Sequence, residues 1–260
     1  MKLRMICVAL AGALCATHGA SAAVVQLTMN LGLNDPNLGF QNKILIETFD
    51  DRPLTSNNFL AYVKGGKYSG TFLHRLAPGF VLQGGGFIKN LVTQTIGGVP
   101  QTSNLANPVD LDGDPATPNP TVPNEFSNLP FRSNLRGTLA MAKLAGDPNS
   151  ATNQWFFNLA DNSANLDNQN GGFTVFARVI DGMDLVDALA GLPITNLNPD
   201  TNGDGIRDPG PFGSVPFSGS FLVEITAAEV APAAPLLPAP GTWILALGLL
   251  GATGYAYTRA

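Results

Sequence analysis

Residues 71–87 read TFLHRLAPGFVLQGGGF. One arginine, Arg75, lies among apolar residues, with Phe80, Gln83 and a glycine triplet close behind it and no acidic residue in the stretch. A guanidinium is planar, multiply donating and always protonated. Without a carboxylate in its neighbourhood, that of Arg75 is left to donate to some other acceptor. A solvated surface position is the ordinary fate of an arginine, and what argues for more is the density of motifs that follow. His74 puts an imidazole, the commonest general base, beside Arg75. On a strand, however, neighbouring side chains point to opposite faces, so the two cannot share a site.

A second stretch with chemical capacity is NPDTNGDGIRDPG (198–210), in which Asp200, Asn202, Asp204, Gly205 and Asp208 are spaced D-x-N-x-D-G-x-x-D. Oxygen ligands at alternate positions before a turn-forming glycine can wrap a hard cation, with the Ile206 carbonyl as a further ligand. Pro211 stands where an EF-hand carries its bidentate glutamate, so the stretch resembles the shorter loops of extracellular calcium repeats. The same composition also makes a metal-free Asn/Asp/Gly turn, and both readings stand. Asp110, Asp112 and Asp114 form a weaker cluster, read as a turn. A calcium ion held at 200–208 would be structural.

The elements that must position these residues are mostly short strands. VVQLTMNL (24–31), KILIETF (43–49), GTLAMA (137–142), QWFFNL (154–159), FTVFARVI (173–180) and SFLVEITA (220–227) are rich in β-branched and aromatic residues. A helix capped by Thr55 or Ser56 is predicted through NNFLAYVKG to Gly65–Gly66, and a second over MDLVDALA (183–190). With 29 Gly and 20 Pro, the pattern predicts a mainly β barrel or sandwich. Polar segments near 93–123 and 193–216 interrupt it. Apolar residues at 45% against 13% charged allow a sizeable core and exclude wholesale disorder. A net charge of −5 with no basic run excludes a nucleic-acid partner.

The two ends read as address signals. Lys2 and Arg4, the apolar run from Met5 to Ala16 and Ala20-Ser21-Ala22 form a signal peptide over 1–22. Cleavage there removes Cys7 and Cys15, the only cysteines, so disulfide and thiol chemistry are excluded from the mature chain. After the domain at 23–230 comes a proline-rich linker (231–242) and an apolar tail (243–260) ending in Arg259 and Ala260. The tail resembles the PEP-CTERM class of sorting signals, with LPAP in place of the usual Val-Pro-Glu-Pro. Its apolar run, 243–258, is short of the ~20 residues that span a bilayer. The ends therefore imply export to the periplasm or cell surface, a sorting machinery acting on the tail, and a membrane anchor through it.

At FLHRLAPGFVLQGGGF the chain resembles the cyclophilins, the peptidyl-prolyl cis-trans isomerases, and most closely their bacterial exported subgroup. The match continues through NEFSNLPFRSNLRGTLAMAK (124–143), NQWFFNLADN (153–162), Leu166-Asp167 and FTVFARVIDGMDLVDAL (173–189). The resemblance implies a mainly β, eight-stranded closed antiparallel barrel capped by two α-helices, with the active site on its outer face. It implies Arg75, Phe80, Gln83 and Phe156 as catalytic residues. Val81, Leu166 and Phe173 would complete the apolar pocket for the proline ring, and Ala142 and Lys143 would meet the extended substrate through their backbones. Trp155, alternating with Phe156, belongs to the core. No cofactor is required, the partners are proline-containing polypeptides, and the protein acts as a monomer.

Three departures from the eukaryotic pattern matter. Lys143 replaces a common asparagine, Phe173 a common histidine, and Asn165 a tryptophan that members use to bind cyclosporin, so weak cyclosporin affinity is expected. The function implied is isomerisation of X–Pro bonds in exported proteins, assisting their folding. An alternative is a surface-displayed module that grips proline segments with little turnover. A third makes the barrel a structural part of a surface layer.

Overall fold

The computed structural model describes residues 22–30, 42–89, 93–96, 99–102, 106–111, 118–198, 210–218 and 221–231. Almost all of the leader, the apolar tail and the calcium-loop residues Asp200, Asn202, Asp204, Ile206 and Asp208 lie outside them, as do Asp112 and Asp114.

Strands β1 (Val24–Asn30) and β2 (Lys43–Thr48) open the domain and bury every second side chain, the period-two signature of a half-buried sheet. Helix α1 follows (Pro53–Lys64). Next come β3 (Thr71–Phe72), β4 (Arg75–Ala77), β5 (Val81–Gly84) and β6 (Phe87–Lys89), then β7 (Thr93–Ile96), β8 (Val99–Thr102) and β9 (Ala106–Pro108). After a long connection come β10 (Thr138–Met141), β11 (Trp155–Asn158), the single turn α2 (Ser163–Leu166) and β12 (Val175–Asp181). Helix α3 (Met183–Ala190), β13 (Ile194–Thr195), β14 (Val215–Ser218), β15 (Phe221–Leu222) and β16 (Glu224–Val230) complete the order.

Eleven strands form one antiparallel sheet in the order β4-β5-β11-β10-β12-β2-β1-β16-β3-β6-β9. Only Leu73 and His74 separate β3 from β4, and only Gly85 and Gly86 separate β5 from β6, yet in each pair the strands lie near opposite ends of that order. The sheet must therefore curl back on itself. Gly85 makes the second link possible: its φ is +77°, and a Cβ there would sit 2.6 Å from Trp155 Nε1. Inside the curl pack Val25, Leu27, Ile44, Ile46, Phe59, Tyr68, Trp155, Phe157 and Phe176, all fully buried. Each such side chain contributes about 1.5–3 kcal/mol of burial. Trp155 meets Phe157, Tyr68 and Phe59 edge-on at 5.3, 6.1 and 6.2 Å.

The architecture is mainly β with few helices, but several details differ from expectation. The principal sheet has eleven strands rather than eight: the chain breaks at Leu73–His74 and Gly85–Gly86 where it turns the corner, and β9 adds a further strand beside β6. There are three helices among the described residues, since α2 is too short to show helical periodicity. The polar segment 93–123 holds the β7–β8 hairpin, and β9 pairs with β6. Residues 173–174 stay outside β12. Finally, α1 starts at Pro53, and Thr55 and Ser56 do not cap it. The carboxylate of Glu125, from far along the chain, accepts from the backbone amides of Leu54 (3.2 Å) and Thr55 (2.8 Å). That satisfies two of the donors every helix start leaves open.

Candidate functional site

Register builds the site. Across β4, β5, β11, β10 and β12 the directly opposed residues are Arg75, Gln83, Phe156, Ala140 and Val175. Opposed residues in an antiparallel pair share a face. Their neighbours Leu76, Leu82, Trp155, Phe157 and Leu139 belong to the core, so this row points outward. Beneath it lies a second apolar cluster of Val81, Ala140, Phe156, Leu166 and Val175, with Phe80, Ala77, Ala142, Phe173 and Phe49 packed around it. Arg75, Phe80, Gln83, Phe156, Val81, Ala142, Leu166 and Phe173 are thus brought together on one outer surface.

The walls of this pocket are held by backbone contacts. Phe80 closes the turn after β4, and its carbonyl accepts from Leu159 N (2.9 Å) and Asn162 Nδ2 (2.8 Å). Phe173 donates its amide to Leu166 O at 3.0 Å, and its ring stands 5.9 Å from Phe156 at 65°. Asn134 Nδ2 reaches both Phe173 O (3.0 Å) and Asp167 Oδ1 (2.8 Å). Asn158 joins Asn134 to Asn162 through side-chain bonds of 3.1 and 2.8 Å. These three buried asparagines tie the two aromatic walls to one polar scaffold, and fully bonded networks of this kind rigidify what they hold. None stood out in the sequence, although Asn158 and Asn162 sit in the NQWFFNLADN motif; an Asn ending an apolar strand was the available signal.

Gln154 was missed as well. Its Oε1 accepts from Gln83 Nε2 at 2.8 Å, while Gln83 Oε1 lies 3.5 Å from Arg75 Nη1. No ion pair to Arg75 occurs among the described residues, so its half-buried guanidinium, on the same face as Gln83 and Phe156, has only a weak tether. His74 points the other way. It is 2% exposed and packs edge-on to the Phe87 ring at 4.9 Å. Burial pushes its imidazole down to about 4.

Ala142 donates its amide to Gln154 O (2.9 Å), leaving its carbonyl as the group it can offer a ligand. The Lys143 side chain turns away from the strand to the 170–172 loop, with burial lowering its ammonium to about 8. Asn165 is exposed and accepts from Gln169 Nε2. Among the described residues no three His, Cys, Asp or Glu gather to hold a metal ion, and no helix is long and apolar enough to cross a membrane.

The sequence model of the family described as cyclophilin type peptidyl-prolyl cis-trans isomerase/CLD matches residues 34–208. The chain is 36% identical over 193 residues to a peptidyl-prolyl cis-trans isomerase of Acinetobacter baylyi, covering 74% of this chain and 84% of that one. It is 39% identical over 154 residues to peptidyl-prolyl cis-trans isomerase B of Escherichia coli, covering 57% and 79%. Its fold is similar to the crystal structure of a cyclophilin type isomerase of Cryptosporidium parvum, with a TM-score of 0.51 and 18% identity over 82% of this chain and all of the other. A second structure of that protein, obtained in the presence of the dipeptide Ala-Pro, gives 0.50 and 19% over 80% and 99%.

Proposed function

This chain belongs to the cyclophilin-type peptidyl-prolyl cis-trans isomerases, and we propose that it turns over the X–Pro bonds of exported polypeptides in the outward pocket around Arg75. Isomerases of this family need no cofactor. The observation that carries the site assignment is the row Arg75–Gln83–Phe156, set by strand register over an apolar cluster separate from the core.

The amide barrier of ~18–20 kcal/mol comes from resonance. At the twisted transition state that resonance is lost, and the proline nitrogen becomes pyramidal with a lone pair absent from the ground state. A donor aimed at this nitrogen stabilises the transition state selectively. Arg75 supplies the donor. Phe80, Val81, Phe156, Leu166 and Phe173 enclose the prolyl ring, Gln83 steadies the substrate backbone, and Ala142 and Lys143 meet the extended chain. No proton moves, so His74 stays outside the chemistry. The leader and the LPAP-containing tail support action in the periplasm or at the surface, on folding clients, by a monomer that a sorting machinery and a membrane anchor could hold there.

Exchange NMR on a capped X–Pro peptide with substoichiometric protein tests the reading. Exchange between cis and trans signals should accelerate in proportion to protein concentration. Saturable binding without acceleration would replace the enzyme by the proline-gripping module.

A further inference from the structure

Lys143 stands where the resemblance calls for an asparagine, and its side chain performs a task that backbone contact with substrate does not require. From the end of β10 it crosses to the loop before β12. There Nζ donates to the carbonyls of Asn170 (2.9 Å) and Gly172 (2.6 Å) and lies 4.8 Å from the centre of the Phe173 ring. The gripped segment is three consecutive left-handed residues, Asn170, Gly171 and Gly172, with φ of 51°, 72° and 74°. Two glycines give such a segment little conformational preference of its own. Phe173 follows directly and forms the wall facing Phe156. The loop is also held by Asn124 Nδ2, which donates to the carbonyls of Gly171 (2.7 Å) and Gly172 (3.2 Å), and by Asn170 Nδ2, which donates to Leu144 O (2.9 Å). Lys143 adds the charged contacts, two charge-assisted hydrogen bonds and an aromatic face beside the cation.

We propose that Lys143 is a positioning residue: its ammonium pins the 170–172 loop, sets the Phe173 wall and so determines how tightly the prolyl ring is held. The proposal rests on the reading of the pocket around Arg75 as the isomerase site. Burial brings the Lys143 ammonium down to about 8, opposed by Asp147, the charged group facing it. The clamp therefore discharges within an accessible pH range. The neutral amine keeps N–H donors but loses the charge that strengthens both bonds and the ring contact.

The test measures KM and kcat by exchange NMR for the wild type, Lys143→Met and Lys143→Arg between about pH 7 and about pH 9, using a peptide without titrating groups. Lys143→Met removes both donors and should raise KM about tenfold or more, the worth of at least one charge-assisted hydrogen bond, with kcat little changed. Lys143→Arg, always protonated, should keep a low KM that is flat with pH, while the wild-type KM rises through the range. A Lys143→Met enzyme with wild-type KM, or identical pH profiles for wild type and Lys143→Arg, overturns the proposal. If Lys143→Met does not fold, the wild-type and Lys143→Arg profiles decide. If the wild type accelerates nothing at any pH, the isomerase reading has failed instead. The clamp is then judged by whether the Phe173 ring signals shift with pH in the wild type and stay fixed in Lys143→Arg.

Discussion

Replacing Arg75 by alanine removes the proposed transition-state donor with little else attached to it. The guanidinium is half-buried, has no carboxylate partner among the described residues, and touches Gln83 Oε1 only at 3.5 Å. No buried group is stranded by the truncation, so the stability cost should stay below about 1 kcal/mol. Removing one preorganised donor from a developing charge costs on the order of 10²–10³ in rate, or about 3–4 kcal/mol. A neutral nitrogen is a weaker acceptor than an oxyanion, which places the expectation near the lower figure. The loss should appear in kcat, with KM nearly unchanged, because Phe80, Phe156, Leu166 and Phe173 still hold the ring. Exchange NMR or a protease-coupled assay on an X–Pro peptide, alongside thermal melts, separates the terms. Activity within about threefold of wild type in a folded Arg75→Ala protein is far too small a loss for the missing donor and refutes the assignment. Full rescue by Arg75→Lys would show that charge alone suffices and that the planar fork is irrelevant.

Three further outcomes follow from named contacts. Gln154→Leu deletes the acceptor at 2.8 Å from Gln83 Nε2 and should lower kcat/KM about five- to tenfold, the worth of one hydrogen bond; unchanged activity would show that Gln83 orients itself. Burial depresses the His74 imidazole from 6.5 to about 4, so between those values the unfolded chain binds the proton and the folded one does not. Stability is then complete above pH 6.5 and falls as pH drops toward 4, by up to about 3 kcal/mol. His74→Leu should flatten that slope in urea titrations, and an unaltered slope assigns the acid sensitivity elsewhere. Asn165 offers cyclosporin an exposed amide bound to Gln169 rather than an indole. Binding should be weaker than about 1 µM, and a nanomolar titration curve would contradict it.

Much of this protein was readable in the chain itself. Enrichment in β-branched and aromatic residues marked β1, β2 and β16, and alternation along the strand separated Trp155 from Phe156, because neighbouring side chains take opposite faces whatever packs against them. The FLHRLAPGFVLQGGG motif and those after it, taken in order along the chain, pointed to the family that the sequence model and the relatives show. What the sequence could not show were the partnerships between distant segments. Glu125 serves the start of α1 from seventy residues away, and no local capping pattern encodes that. The Asn134–Asn158–Asn162 scaffold is invisible for the same reason: asparagine is ordinarily a turn residue, and only burial turns it into a strut. Lys143 shows the limit most plainly. Residue type marked it as a tolerated departure, whereas folding carried its ammonium onto the loop that supports Phe173. Local periodicity follows from covalent geometry and is written in the chain. Which polar group meets which across the sheet depends on how the sheet curls, and that was decided only by the tertiary structure.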